Sequence, residues 1–187
     1  MGLDACVYCD CLEKKRLRKP LPGDVTLKIE ADGYPSLERN GATIWEEDGP
    51  DWNDFACEHE RRQLIHHRLG NIALVALLRW ELKREVSLYP ILLGKVVYNG
   101  IHAGDYLGLE QFSQLQVELQ RLATFRCVGD APQSFSISRF LPNFFPFTLW
   151  KQHYSTAAES NRFMQNFRNQ MLELVDAASR IGKPISF

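Results

Sequence analysis

Cys57-Glu-His59, Ile65-His-His-Arg-Leu69-Gly-Asn71-Ile72, Leu93-Gly-Lys-Val-Val-Tyr98 and Asn99-Gly-Ile-His-Ala-Gly-Asp105 succeed one another within residues 57–105, and their reading decides the fold. Ile65, Leu69, Ile72, Ala76 and Trp80 recur at 4-3-4-4 spacing, which is one face of a helix over about 58–86. Ala73, Leu77, Leu78 and Leu82 widen that stripe, so the helix is expected to be buried on much of its surface. Gly70-Asn71 offers a division, with Asn71 able to cap a second segment. Pro90 breaks any continuation. The near-continuous apolar run Leu92 to Tyr98 predicts an interior strand covered on both faces.

Towards the N-terminus, Leu3, Ala5, Val7, Cys9 and Cys11 alternate with Asp4, Cys6, Tyr8 and Asp10, predicting a strand over 3–11. Lys14, Lys15, Arg16, Arg18 and Lys19 come next as a basic loop closed by Pro20, Pro22 and Gly23. Five such charges on one loop read first as a solvated loop, with a salt-sensitive phosphate- or acid-binding patch as the sharper alternative. Val25 to Glu30 alternates again as a second strand, Asp32-Gly33 is a turn signal, and a short third strand is expected near Thr43 to Trp45.

Towards the C-terminus, Leu109, Phe112, Leu115, Leu119, Leu122 and Phe125 give a helix over about 109–125. Residues 126–150 are aromatic and rich in proline, with Phe135-Ser-Ile137 a candidate strand. Thr156 and Glu159 form a capping-box pair at the start of a last helix. Its stripe is Phe163, Phe167, Met171, Leu174, Ala178 and Ile181, and Gly182 with Pro184 stops it. Pro184 to Phe187 could add a short edge strand.

The expected architecture is α+β or mixed α/β: a single domain over 1–187. Its central sheet of four or five strands would use about 4–10, 25–30 and 92–98 with one or two short edge strands. Three helices near 60–86, 109–125 and 156–181 would pack against it. A chain of 187 residues can bury a full core without a metal or disulfides. A net charge of −1 gives no global attraction to nucleic acid or an anionic membrane, so direct nucleic-acid binding is not expected. No run of 18 apolar residues suggests a membrane span, and the start lacks the pattern of a secretory leader. Five cysteines without a disulfide-scaffold spacing suit a reducing, cytoplasmic location.

Three groups of residues could carry chemistry. Cys6-x2-Cys9 has half of a zinc spacing, but no Gly or Pro supplies a turn there, and on a strand the two sulfurs point to opposite faces. On that reading Cys9 and Cys11 are small apolar fillers. Cys57 and His59 with His66 have better ligand types, and zinc is the metal they suggest. His59 and His66 would share a helical face two turns apart, whereas His67 lies on another. His102 and Asp105 come after the expected strand and precede a helix, a position that ligands favour in α/β proteins. They could form an oriented base, or Asp105 could simply cap the next helix.

The acidic stretch around Gly49-Pro50 contains Glu46, Glu47, Asp48, Asp51 and Asp54 interleaved with Trp45 and Trp52. Acidic steering charges around aromatic anchors are the composition of a protein-binding loop.

The combination of Met-Gly-Leu-Asp-Ala at the start, Cys57-Glu-His59, His67-Arg-Leu-Gly-Asn71 and Tyr98 to Asp105 resembles a set of small bacterial proteins. Some of these are similar to immunity proteins of polymorphic toxin systems. The resemblance implies a cytoplasmic, single-domain protein that binds and blocks a cognate toxin; with the acidic stretch as its interface, such a non-enzymatic binding protein would have a basic toxin domain as its partner. It carries over no active-site residues. The contrasting expectation is an enzyme or metal-site protein using Cys57, His59, His66, His102 and Asp105.

Overall fold

The computed structural model describes residues 2–21, 23–44, 56–98, 105–127 and 157–187. They form a mixed α+β fold with two antiparallel sheets. In the first, β1 (Gly2–Tyr8) lies between β5 (Gln63–Asn71) and β7 (Ile185–Ser186), and β6 (Tyr106–Leu107) extends the sheet beyond β7. In the second, β3 (Pro35–Arg39) pairs with β2 (Thr26–Ile29) and β4 (Ala42–Thr43). The expected strand over 25–30 therefore exists, but in its own small sheet and not beside β1. The C-terminal strand, expected at an edge, is interior, pairing Cys6 with Ser186 and Leu107 with Ile185.

The long helix expected over 58–86 is two elements. Residues 63–71 are strand, paired with β1 from Gly2↔Asn71 to Tyr8↔Gln63. Only then does α1 (Ile72–Leu82) begin, followed by a 3-10 segment over Lys83–Leu88. Ile65, His67 and Leu69 also fit a period of two, so the same residues satisfied both patterns. Asn71 caps α1 as anticipated, its Oδ1 accepting from the backbone N–H of Ala73 at 3.1 Å and Leu74 at 3.0 Å. The face presented to the core is Val75, Leu77, Leu78 and Leu82, whereas Trp80 is 53% exposed.

Residues 92–96 are also not a strand. Leu92–Val96 form a π-helical turn just after Pro90. Its start is fixed by the carboxylate of Glu118, which accepts from the backbone N–H of Ile91 and of Leu92, each at 2.9 Å. A buried anion at a helix start satisfies donors that have no partner within the helix. Glu118 lies on α2 (Phe112–Leu122), which buries Phe112, Leu115, Leu119 and Leu122 as the stripe predicts; the preceding Leu109–Gln111 is a 3-10 turn with Leu109 exposed.

The last helix, α3 (Ala157–Ile181), buries Phe167, Met171, Leu174 and Ala178 on the predicted face and stops at Gly182 in the left-handed region, φ 69°. The expected cap Thr156 and the aromatic segment 128–150 lie outside the described residues. The main core joins β1, α1, α2, α3 and the turn at 92–97. The small sheet docks on the first through its Asp32–Tyr34 turn. Ser186 Oγ donates to Asp32 Oδ2 at 3.1 Å, Tyr8 and Tyr34 meet edge to face at 5.4 Å, and buried Arg62 donates to the Pro35 carbonyl at 2.8 Å. Among the described residues no helix is long and apolar enough to cross a membrane.

Candidate metal centre

The strand expected over 3–11 ends at Tyr8, and the chain then enters a turn. One further ladder contact, Cys9 N–H to Arg62 O at 2.8 Å, carries the chain just past the sheet. Asp10 then does what glycine or proline was expected to do. Its carboxylate grips Lys14 at 2.5 Å and Arg16 at 2.6 Å. Beneath it the backbone turns tightly, with Lys14 N–H to Asp10 O at 3.0 Å and Arg16 N–H to Cys11 O at 2.7 Å. Hydrogen bonds and charge from Lys14 and Arg16 hold the Asp10 carboxyl below the usual carboxylate range. Two of the five basic side chains in this loop therefore serve the turn.

The second half of the site arrives from 48 residues away. Arg18 N–H donates to Ala56 O at 2.7 Å, which lays residues 56–57 along the loop. His59 leads into a 3-10 turn, Glu60–Arg62, with Arg62 N–H bonded to His59 O at 3.1 Å. Arg61 and Arg62 both adopt positive φ, 49° and 58°. Left-handed backbone costs about 1–2 kcal/mol for each non-glycine residue. Two in succession turn the chain sharply between His59 and β5.

These turns bring Cys9, Cys11, Cys57 and His59 together, with all four ligand atoms within 4.8 Å of one another. Cys9 Sγ is 3.7 Å from Cys57 Sγ, Cys11 Sγ is 3.3 Å from His59 Nδ1, and Cys57 Sγ is 3.9 Å from His59 Nδ1. A tetrahedral zinc with Zn–S near 2.3 Å and Zn–N near 2.0–2.1 Å has S···S edges of about 3.8 Å and S···N edges of about 3.6 Å. Three of the six separations lie within about 0.3 Å of these values and the other three within 4.8 Å, so the four atoms could hold a metal ion after a modest closing of the site. The three cysteines are buried and His59 is half-buried, with Leu17 and Leu64 packed against the sulfurs.

Burial pushes the Cys9 and Cys11 thiols up from their ordinary range. Without a cation they stay protonated, and a bound divalent ion would reverse that by stabilising the thiolates. Arg16, Arg61 and Arg62 stand in the same two turns, where three thiolates would place excess negative charge.

Cys57 and His59 thus belong to the candidate site, but His66 does not. On β5 its Nε2 is 4.0 Å from Asp4 Oδ1, on an exposed stretch of strand, because residues 63–71 are not helical and share no face with His59. Cys9 and Cys11 are buried, as a filler role requires, but the strand that was to place them ends before Cys9, and both sulfurs reach the same cluster. The signal for this was the repeated spacing, Cys9-x-Cys11 matched by Cys57-x-His59. Cys6 stays outside the cluster, and all five cysteines are free thiols.

Asp105 accepts a hydrogen bond from the Tyr98 hydroxyl, and its backbone carbonyl accepts from Phe187 N–H at 3.0 Å. Both contacts tie the entry of β6 to neighbouring elements. His102 and the acidic stretch, Trp45, Glu46, Glu47, Asp48, Asp51, Trp52 and Asp54, lie outside the described residues. No family model, no curated protein and no solved structure matches the chain.

Proposed function

We propose that this chain is a non-enzymatic protein-binding domain braced by a structural zinc ion at Cys9, Cys11, Cys57 and His59. The observation that carries the proposal is the convergence of four ligand atoms within 4.8 Å, three of them from buried cysteines. Four protein ligands complete a tetrahedron and leave no position for a substrate or an activated water, which is how structural zinc sites differ from catalytic ones. A thiolate-rich set selects zinc over magnesium or calcium, and a reducing cytoplasm keeps it available.

The brace suits a binding role because of where it sits in the chain. Residues 46–54 fall between β4 and the ligand Cys57, so a metal at Cys57 would fix one end of the acidic stretch. Its charges would steer a basic protein surface, and Trp45 or Trp52 would supply a desolvated anchor. The resemblance to immunity proteins makes a basic toxin domain the partner to try first, starting with the product of the adjacent gene. Neutralising Asp48, Asp51 and Asp54 together should slow association, most at low salt, and leave the melting temperature unchanged. Unchanged association rate and salt dependence would refute the acidic stretch as the interface.

A further inference from the structure

We propose that peroxide converts the same site into a Cys9–Cys57 disulfide with release of the metal, so that a covalent link replaces the ion as the brace. The inference rests on zinc occupying the four ligands. Cys9 and Cys57 have their sulfurs in hydrogen-bond contact at 3.7 Å; Cys11 Sγ lies within 4.8 Å of both but is turned to His59 Nδ1 at 3.3 Å. A disulfide bond is near 2.05 Å, so the two sulfurs must close by about 1.7 Å. Cys9 is held beside β1 by its bond to Arg62, whereas residues 56–59 belong to no strand or helix, so the closure falls to them and to rotation of the Cys57 side chain. His59 is the half-buried ligand, so its side is the one from which a molecule as small as hydrogen peroxide would reach the sulfurs.

Metal-bound sulfur is thiolate, the nucleophilic form. One thiolate of the pair attacks a peroxide oxygen, the O–O bond breaks, and the products are a sulfenic acid and hydroxide. The second thiolate attacks the sulfenic sulfur, forms the S–S bond and expels another hydroxide. Two protons from solvent convert both hydroxides to water. The two thiolates lose two electrons and the peroxide gains them. Zinc is left with Cys11 and His59, two ligands where it had four, and dissociates. Because Cys9 and Cys57 are 48 residues apart, the new bond still ties the basic loop to the end of the acidic stretch.

The test uses full-length protein purified with zinc and reductant, with the reductant removed just before hydrogen peroxide is added. Zinc release is followed with a metallochromic dye, thiols are counted, and disulfide peptides are mapped by mass spectrometry. The expected result is one zinc released for every two thiols lost, a Cys9–Cys57 peptide, and reversal by dithiothreitol with added zinc. Oxidised protein should also melt higher than reduced protein stripped by EDTA. Cys127→Ser, distant from the site, should behave like wild type, and Cys9→Ser should form no disulfide. If Cys9→Ser fails to fold, the wild-type peptide map decides. Zinc retained under peroxide, release with single cysteines oxidised to sulfinic acid, or a disulfide to any other cysteine overturns this inference alone. Untreated protein without zinc overturns the structural-zinc proposal and this inference with it.

Discussion

Replacing Glu118 by Ala should be among the most damaging single changes outside the candidate metal site. Its carboxylate is fully buried and accepts from Ile91 N–H and Leu92 N–H at 2.9 Å each, with Gln114 Nε2 adding a third contact at 3.3 Å. Hydrogen bonds to a charged group contribute about 1.5–3 kcal/mol each, and each buried donor left unpaired costs about 1–3 kcal/mol. Leu92 is itself buried, so water cannot readily take the place of the carboxylate. Allowing for relaxation, Glu118→Ala should cost about 3–5 kcal/mol, near the upper end for point substitutions. Glu118→Gln keeps one acceptor oxygen but sets an amide NH2 against the second donor, and should cost roughly half as much. At about 2–4 °C per kcal/mol for a chain of this size, the alanine variant should melt on the order of 10 °C lower. Urea unfolding followed by circular dichroism, at constant metal concentration, measures both variants. Gln116→Ala, on the exposed side of the same helix, is the control and should stay within about 0.5 kcal/mol of wild type. If Glu118→Ala cost no more than this control, the carboxylate would not be what starts the turn at 92–96.

Local geometry sets three further outcomes. Arg61→Val should lower stability by about 1–2 kcal/mol because a β-branched residue tolerates φ 49° poorly, whereas Arg61→Gly should be neutral or mildly stabilising; chemical denaturation of the pair separates backbone strain from loss of the charge. Gly33→Ala should cost about 1–2 kcal/mol, since φ is 84° and the new Cβ would sit 3.2 Å from Pro184 Cγ, and hydrogen exchange should show the small sheet loosening first. The Lys28 ammonium and the Ser36 hydroxyl hold the Glu30 carboxyl below its ordinary value. A depressed folded-state pKa gives stability that is complete above the unfolded value and is lost as pH falls through the folded one. Glu30→Gln should therefore flatten the acid side of the stability curve, and a carboxyl NMR titration should place the wild-type Glu30 midpoint below that of an unstructured peptide.

The features legible in the sequence were decided by contacts close along the chain. The α2 and α3 stripes, the Asn71 cap and the stop at Gly182 each depend on residues within a turn or two, and each appears as expected. Failures came where a distant partner decided. Residues 63–71 fitted helical and strand periods alike, and pairing with β1 settled the matter. Residues 92–96 carried a strand-like composition, but a carboxylate 26 and 27 residues further on starts a helical turn there. The candidate metal site was half legible. Cys57 and His59 stood out by residue type, while Cys9 and Cys11 were hidden because alternation ran smoothly through the strand's actual end at Tyr8. The turn at Asp10 is made by ion pairs with Lys14 and Arg16, and these leave no glycine or proline to read.

Metal analysis of full-length, untagged protein purified without chelator tests the central claim most directly. Elemental analysis should find one zinc per chain, and replacement by cobalt should give the intense visible absorption of a tetrahedral thiolate site. Cys11→Ser and His59→Ala should each reduce that metal content sharply, while His66→Ala should leave it at one per chain. Protein that carries no zinc and takes up none when reduced, or that holds zinc equally well after Cys11→Ser and His59→Ala, would contradict the account.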